Sequence, residues 1–542
     1  MKRNKLALSG VALLGLGGIL LAGCASGNGG GSSDGGNDAG GDAIVTTNGT
    51  EPQNPLIPTN TNEVGGGKIL DSIFAGLISY NADGSVENEV AESITVDSPT
   101  QLTVKIKEGL TFTNGEEVTA DNFIKAWNYG AALDNAQLSS YFFEDIEGFS
   151  WDENRDELSG LKQVDDYTFT ITLNKPATDF AQRLGYSAFY PLPDVAFEDL
   201  EAFGESPIGN GPYKLASEDA WVHDEGISLV VNEDYEGPRE PKNDGLEIRF
   251  YASQDAAYAD LLSGELDVLD QIPEAALQTY QDELGDNWVN QPAAIFQSVT
   301  IPEYLPHFAG EEGKLRRQAI SMAINREEIT DVIFQGTRTP ASDFTSPVID
   351  GWSEELEGAE VLEYNPDRAK ELWAEADAIS PWEGSFQIAY NSDGGHQGWV
   401  DAVANSIAGT LGIDASGAPY PDFAGLREQV TNRTITTAFR TGWQADYPGL
   451  YNFLGPLYAT NAGSNDGDYS NPEFDDLLAQ GISETDPAAA NELFQQAQEI
   501  LLQDLPALPL WYANVTGGWA DTVDNVEFGW NSVPLHHNIT KG

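Results

Sequence analysis

The sequence predicts a mixed α/β protein of two or three lobes with an additional β-rich portion, and three observations carry that expectation. The chain has 542 residues, too many for one ordinary domain, and 40% of them are hydrophobic, enough for more than one core. Stretches that alternate apolar and polar residues lie beside stretches that repeat apolar residues at helical spacing. Pro-containing caps such as Asn365-Pro366 and Asp486-Pro487 punctuate the two kinds of stretch.

From the N-terminus, Lys2, Arg3 and Lys5 precede an apolar stretch from Leu6 to Ala22 that is interrupted by glycines and Ser9. That composition fits a signal segment better than a permanent membrane span. Leu21-Ala22-Gly23-Cys24 resembles the bacterial lipobox, and Cys24 is the only cysteine in the chain. The expectation is cleavage after residue 23 and lipidation of Cys24. Residues 24–42 then form a Gly/Ser/Asn/Asp tether with an r.m.s. reach of roughly 23 Å. The body is therefore expected outside the cytoplasmic membrane, held there by acyl chains alone.

In the body, Ile94 and Val96, a turn at Ser98-Pro99-Thr100, and Leu102, Val104 and Ile106 predict a hairpin. Tyr167, Phe169, Ile171 and Leu173 alternate with threonines as a half-buried strand. Thr119 caps a helix whose Phe123, Trp127 and Ala131 share one face. Asn365-Pro366 opens a helix buried through Ala369, Leu372, Trp373 and Ala376, and Asp486-Pro487 opens one carrying Phe494, Ala497 and Leu501. Strands are expected near residues 227–231, 246–250, 386–390, 434–439 and 508–511.

The composition excludes several functions. Lys and Arg number 26 against 87 Asp and Glu, a formal net charge of -61 that phosphate backbones repel, so no nucleic-acid partner is expected. A single cysteine excludes a disulfide framework. Gly65-Gly66-Gly67-Lys68 lacks the rest of a phosphate loop and reads as a turn before a helix. The five histidines show no metal-ligand spacing, and the pair His536-His537 reads as a solvated tail. No cofactor, metal or catalytic constellation emerges, so an enzyme is not expected.

Six blocks in order resemble the peptide-type solute-binding proteins of ABC importers. They are AESITVDSPTQLTVKIKEGLTFTNGEEVTADNFIKAW (91–127), SPIGNGPYKL (206–215), LRRQAISMAINREEI (315–329), YNPDRAKELWAEA (364–376), RTGWQADYPGLYNFL (440–454) and PALPLWY (506–512). The resemblance implies a two-lobe clamshell hinged around a ligand cleft. Lobe I would take residues 43–74, 204–297 and 513–542, lobe III residues 298–512, and an extra β-rich domain residues 75–203. It implies a monomer that captures oligopeptides and delivers them to an ABC permease with its ATPase subunits. Asp446 matches the acid that holds the peptide α-ammonium, hydrated in the open cleft before ligand arrives. Gly442, Trp443 and Gln444 match the strand whose edge pairs with the peptide backbone, and Trp443 could wall a side-chain pocket. Arg440 matches a position that helps hold the peptide carboxylate in some relatives, and Tyr512 a late-strand contact. A contact strand is expected near residues 61–64. Open alternatives are the same fold carrying an oligosaccharide, a nickel complex or haem, a signalling or adhesion lipoprotein, and a secreted hydrolase.

Overall fold

The computed structural model describes residues 43–542, apart from Gln53, Asn62, Thr178, Asp393, Gly394 and Asp422. The signal segment, Cys24 and the linker lie outside the described residues.

Three sheets organise the body. The first draws on three distant stretches of chain. Ile44–Gly49 runs parallel to Gly245–Phe250 and to Val268–Leu269, Gly226–Val231 is antiparallel to Gly245–Phe250, and Gly518–Trp519 joins at the edge beside Val268–Leu269. The second sheet has the order Arg338–Pro340, Ala507–Val515, Gln291–Thr300, Ala438–Gln444, Ser385–Asn391, Asp414–Tyr420. The third is a four-stranded antiparallel sheet ordered Ala91–Ser98, Gln101–Ile106, Thr168–Thr172, Leu161–Asp165. Mixed parallel sheets with helices and a separate antiparallel sheet give the expected α/β class with its extra β-rich part.

The local signals explain why these elements form where they do. Ile94 pairs with Val104 and Val96 with Leu102, the expected hairpin register. Leu102, Val104 and Ile106 are buried, whereas Ala91–Ser98 is an edge strand and stays mostly exposed. Phe123 and Trp127 of the helix Ala120–Ala131 meet the Phe169 ring at 6.1 and 5.6 Å, which fixes the helix on the third sheet. That helix begins where the Asn122 side chain accepts the Thr119 backbone N–H at 2.8 Å. Asn365 and Asp486 accept N–H groups of the first turns of Pro366–Ile379 and Pro487–Asp504, and the same device, Asn471 before Pro472, opens Pro472–Gly481.

Two elements depart from expectation. The strand expected at 434–439 begins only at Ala438 and runs to Gln444. Thr434 and Ile435 instead bond back to the Gln429 carbonyl, closing the end of the helix Phe423–Thr431. The glycines expected in a turn before a helix lie inside it, in Val64–Ile73. Gly65 has no room for a side chain, since a Cβ there would stand 2.3 Å from the Thr50 hydroxyl and 2.8 Å from its carbonyl.

Two large cores result. One lies around the second sheet; the other runs continuously from the first sheet to the third. Tyr80 packs against both. The chain crosses between first and second sheets through Gln291–Thr300 and Ala507–Val515, which are neighbours joined at Phe296↔Tyr512. The lobe limits expected at 297/298 and 512/513 fall inside these two strands.

Candidate functional site

A cavity of about 290 Å³ lies between the two cores. One wall is Gln444, Ala445 and Asp446, where the chain leaves the second sheet; the other includes the helix Val64–Ile73, Tyr80, Tyr186 and residues 529–537. Ala438–Gln444 is antiparallel to Gln291–Thr300 along its length, whereas the parallel Ser385–Asn391 pairs with it only at Ala438 and Phe439. From Thr441 to Gln444 the outer edge has no strand partner among the described residues. The Ala445 N–H bonds the Ala294 carbonyl at 2.9 Å. By the alternation of an antiparallel ladder, Thr441 and Trp443 turn their backbone groups inward, and Gly442 and Gln444 turn theirs to the open edge.

Asp446 follows this strand at the cavity wall, half-buried. Asn452, from the first turn of the helix Leu450–Tyr458, holds it from both sides. The Asn452 amide donates to Asp446 Oδ2 at 3.0 Å, and Asn452 Oδ1 accepts the Asp446 N–H at 3.0 Å and the Trp443 indole N–H at 3.0 Å. No Lys, Arg or His nitrogen lies within 4.0 Å of the carboxylate among the described residues. Burial pushes its pKa from 3.8 up to about 6, against the opposing pull of the Asn452 hydrogen bond and the more distant Arg183. Arg183 itself is engaged with Asp179 and Asp145, at 3.0 and 2.8 Å. The Asn452 hydrogen bonds hold Asp446 in place while the rest of the carboxylate stays open to the cavity.

The other expected site residues divide. Gln444 lines the same cavity and donates to the Asn531 carbonyl at 3.2 Å. Arg440, Gly442 and Trp443 line a second cavity of about 210 Å³ further along the strand, where Arg440 Nε bonds Asn391 Oδ1 at 2.9 Å. Tyr512 is 1% exposed and lines neither cavity. Its hydroxyl donates to Asp343 Oδ1 at 2.6 Å and accepts the Ser342 and Asp343 N–H groups at 3.0 Å each. As a ligand contact Tyr512 is corrected to a core residue, because strand Ala507–Val515 is covered on the face its side chain takes. Residues 63 and 64 cap and start a helix where a contact strand was expected, although Thr61 does line the cavity.

Sequence reasoning missed most of the opposite wall. His536 is 6% exposed and His537 lines the cavity beside it, so the pair is no solvated tail. Burial lowers both histidines to about 3, helped by Lys68 at His536 and by Arg239 at His537, leaving them neutral. Arg239 donates to Glu89 Oε1 at 2.8 Å and the Phe74 carbonyl at 2.8 Å, and Lys68 pairs with Asp270. The Tyr80 and Trp530 rings meet edge to face at 5.5 Å across the two cores. At the rim, the Tyr447 hydroxyl donates to Asp179 Oδ2 at 2.8 Å, and the Arg183 guanidinium sits 5.5 Å from the Tyr447 ring, tying the second-sheet wall to the third-sheet part.

Residues 85–465 match the family model of the bacterial extracellular solute-binding proteins, family 5. The chain belongs to that family. The dipeptide-binding protein DppE of Bacillus subtilis is 27% identical over 487 residues, covering 87% of each chain. The oligopeptide-binding protein OppA of the same organism is 25% identical over 482 residues, covering 85% of this chain and 86% of that one. The solved murein tripeptide binding protein MppA of Escherichia coli superposes with a TM-score of 0.75 at 21% identity, over 92% of this chain and 98% of its own. The fold is thus the family's two-lobe clamshell, hinged around a cleft. No helix among the described residues is long and apolar enough to cross a membrane.

Proposed function

We propose that this family 5 member captures peptides outside the cytoplasmic membrane and hands them to an ABC permease driven by its ATPase subunits. The observation that carries the reading is Asp446, a carboxylate with no cation within 4.0 Å among the described residues, in the wall of a cavity between the two cores and next to an open strand edge. An α-ammonium supplies the missing counter-charge through a charge-assisted hydrogen bond. The peptide backbone then adds as a strand along Gly442 and Gln444. Nothing in the fold forces a glycine at 442, where a Cβ would meet only ordinary contacts from 3.5 Å outward. A missing side chain there leaves room for a second backbone. The 210 Å³ cavity beside Trp443 receives ligand side chains, and Arg440 lies four residues from Gln444, about 13 Å along the strand, at the carboxylate end of a short peptide. The chain binds and does not turn over.

The lobes in this reading are 43–74, 204–297 and 513–542 for the first, 298–512 for the second, and 75–203 for the β-rich domain, with the hinge at the two shared strands. A lipidated Cys24 tethers the monomer to the outer face of the membrane. Cys24→Ser then moves the protein from the membrane to the soluble fraction. The function itself is tested by denaturing protein purified from its native host and identifying the released ligand by mass spectrometry. Short peptides are expected; a sugar, a haem or a metal complex overturns the reading.

A further inference from the structure

The cavity of about 210 Å³ beside Trp443 is built on one face of the second sheet. Phe439, Thr441 and Trp443 alternate along their strand, and their cross-strand partners are Thr300, Ser298 and Phe296. Side chains directly opposite one another in an antiparallel pair share a face, so all six stand on the same side. All six line the cavity. Two helices close it. Tyr458 comes from Leu450–Tyr458, and Leu426 and Val430 come from Phe423–Thr431, which packs on Ser385–Asn391 and Asp414–Tyr420. Those two strands lie on the side where Thr441–Gln444 has its open edge. The helix Phe423–Thr431 therefore borders the space that an added strand would enter.

The lining is largely apolar, and its polar groups are matched to one another. Phe296, Phe439, Leu426 and Val430 are buried and Trp443 is half-buried. Thr441 Oγ1 lies 2.8 Å from Ser298 Oγ and 2.9 Å from Thr300 Oγ1, so the three hydroxyls bond one another. Arg427 donates to Asp466 at 2.6 Å, and Arg440 to Asn391 at 2.9 Å. A charged ligand side chain entering here would lose its water and meet partners already engaged. An apolar one gains by the same burial. The volume fits a ring, since a dry apolar cavity of about 150 Å³ already binds benzene.

The register decides which ligand residue reaches the cavity. With its ammonium at Asp446 and its carboxylate toward Arg440, a peptide runs antiparallel to Ala438–Gln444. Gln444 and Gly442 turn their backbone groups outward, so each exchanges both hydrogen bonds with the residue opposite it. Residue 1 then stands opposite Ala445, its nitrogen directed on to Asp446. Residue 2 pairs with Gln444, residue 3 faces Trp443 and residue 4 pairs with Gly442. Residues 1 and 3 share the Trp443 face, but Ala445 lines the other cavity. In a tetrapeptide only residue 3 is both on that face and beside the cavity. Resting on the peptide-capture reading, we propose that the cavity on the Trp443 face selects peptides with a large apolar side chain, aromatic above all, at the third residue. Leu426, Val430 and Trp443 set that choice.

The test is calorimetry on the whole protein with Ala-Ala-Phe-Ala, Ala-Phe-Ala-Ala, Ala-Ala-Lys-Ala and tetra-alanine. Burying a phenyl ring in place of a methyl group is expected to make Ala-Ala-Phe-Ala bind about ten- to a hundredfold tighter than tetra-alanine. Ala-Phe-Ala-Ala and Ala-Ala-Lys-Ala are expected to gain far less. Val430→Phe fills the cavity from the helix side, and with it the ratio of Ala-Ala-Phe-Ala to tetra-alanine is expected to collapse toward one. The wild-type comparisons need no variant, so a variant that fails to fold does not weaken them. Equal affinities for tetra-alanine and Ala-Ala-Phe-Ala overturn the inference, as does an equal gain from phenylalanine at the second residue or lysine at the third. Peptide capture then still stands, provided that N-acetylation weakens the peptides. If none of the four binds, the capture reading falls, and this inference with it.

Discussion

Asp446 and Asp343 are two carboxylates pushed up in pKa by burial, and neither has a Lys, Arg or His nitrogen within 4.0 Å among the described residues. Around Asp343 the protein supplies the donors itself. Its oxygens accept the Tyr512 hydroxyl at 2.6 Å, the Thr345 N–H at 2.9 Å and the Thr345 hydroxyl at 2.6 Å, and the residue is fully buried. Around Asp446 one side-chain donor, Asn452, meets one oxygen, and the rest of the carboxylate faces an open cavity. A perturbed acid by itself therefore does not mark a site. The mark is a perturbed acid whose hydrogen bonding is left incomplete where a ligand has access.

Three measurements sharpen that contrast. The largest effect is expected at Tyr512, where Tyr512→Ala opens a cavity in the core and strips Asp343 of a donor. The loss is about 3–5 kcal/mol in chemical denaturation, with peptide affinity of the folded protein unchanged. Weaker peptide binding at undiminished stability would return Tyr512 to the site.

Asp446→Asn is next, and its sign is opposite. The folded-state pKa of about 6 stands above the ordinary 3.8, so the folded protein holds a proton that the unfolded chain has released. Stability from this group is present below pH 3.8 and is lost as the pH rises through 6. At neutral pH the buried charge costs about 3 kcal/mol. Asp446→Asn is thus expected to stabilise the ligand-free protein by up to that amount at pH 7 and by nothing at pH 3.5. A destabilised Asp446→Asn would make the acid structural, like Asp343.

The smallest effect is on binding. An ammonium needs the ionised carboxylate, and with a pKa of about 6 roughly one molecule in ten has it at pH 5. Affinity for an unmodified peptide is expected to fall about tenfold from pH 7 to pH 5. A flat profile would detach the ligand from Asp446.

What could be read from the sequence follows the range of the interactions. The 91–106 hairpin, the Asn-Pro and Asp-Pro caps and the Phe123–Trp127 face are set by residues a few positions apart, and they stand where the pattern puts them. The β-branched run at 434–437 has strand propensity, yet the end of the preceding helix takes it, a tertiary choice that propensity does not see. Asp446 was reachable only through a motif shared with relatives. Glu63, Asp71, Tyr186 and His536 had no signal of their own, because the path of the chain alone brings positions 63, 71, 186, 446 and 536 to one cavity. His536-His537 misled for the same reason: a polar pair near the C-terminus reads as solvated until Asn243 and Tyr213 are seen to fix the His536 carbonyl, at 2.9 and 3.3 Å.

The central claim, that Asp446 holds the peptide ammonium, is tested most directly by a four-cornered calorimetric cycle. Wild type and Asp446→Asn are each titrated with one peptide and with its N-acetylated form. Removing one partner of a buried charge pair costs about 2–5 kcal/mol, so either single change is expected to weaken binding on the order of 30- to 3000-fold. The two changes together should cost little more than one. Wild-type affinity in Asp446→Asn, or losses that simply add, would contradict the claim.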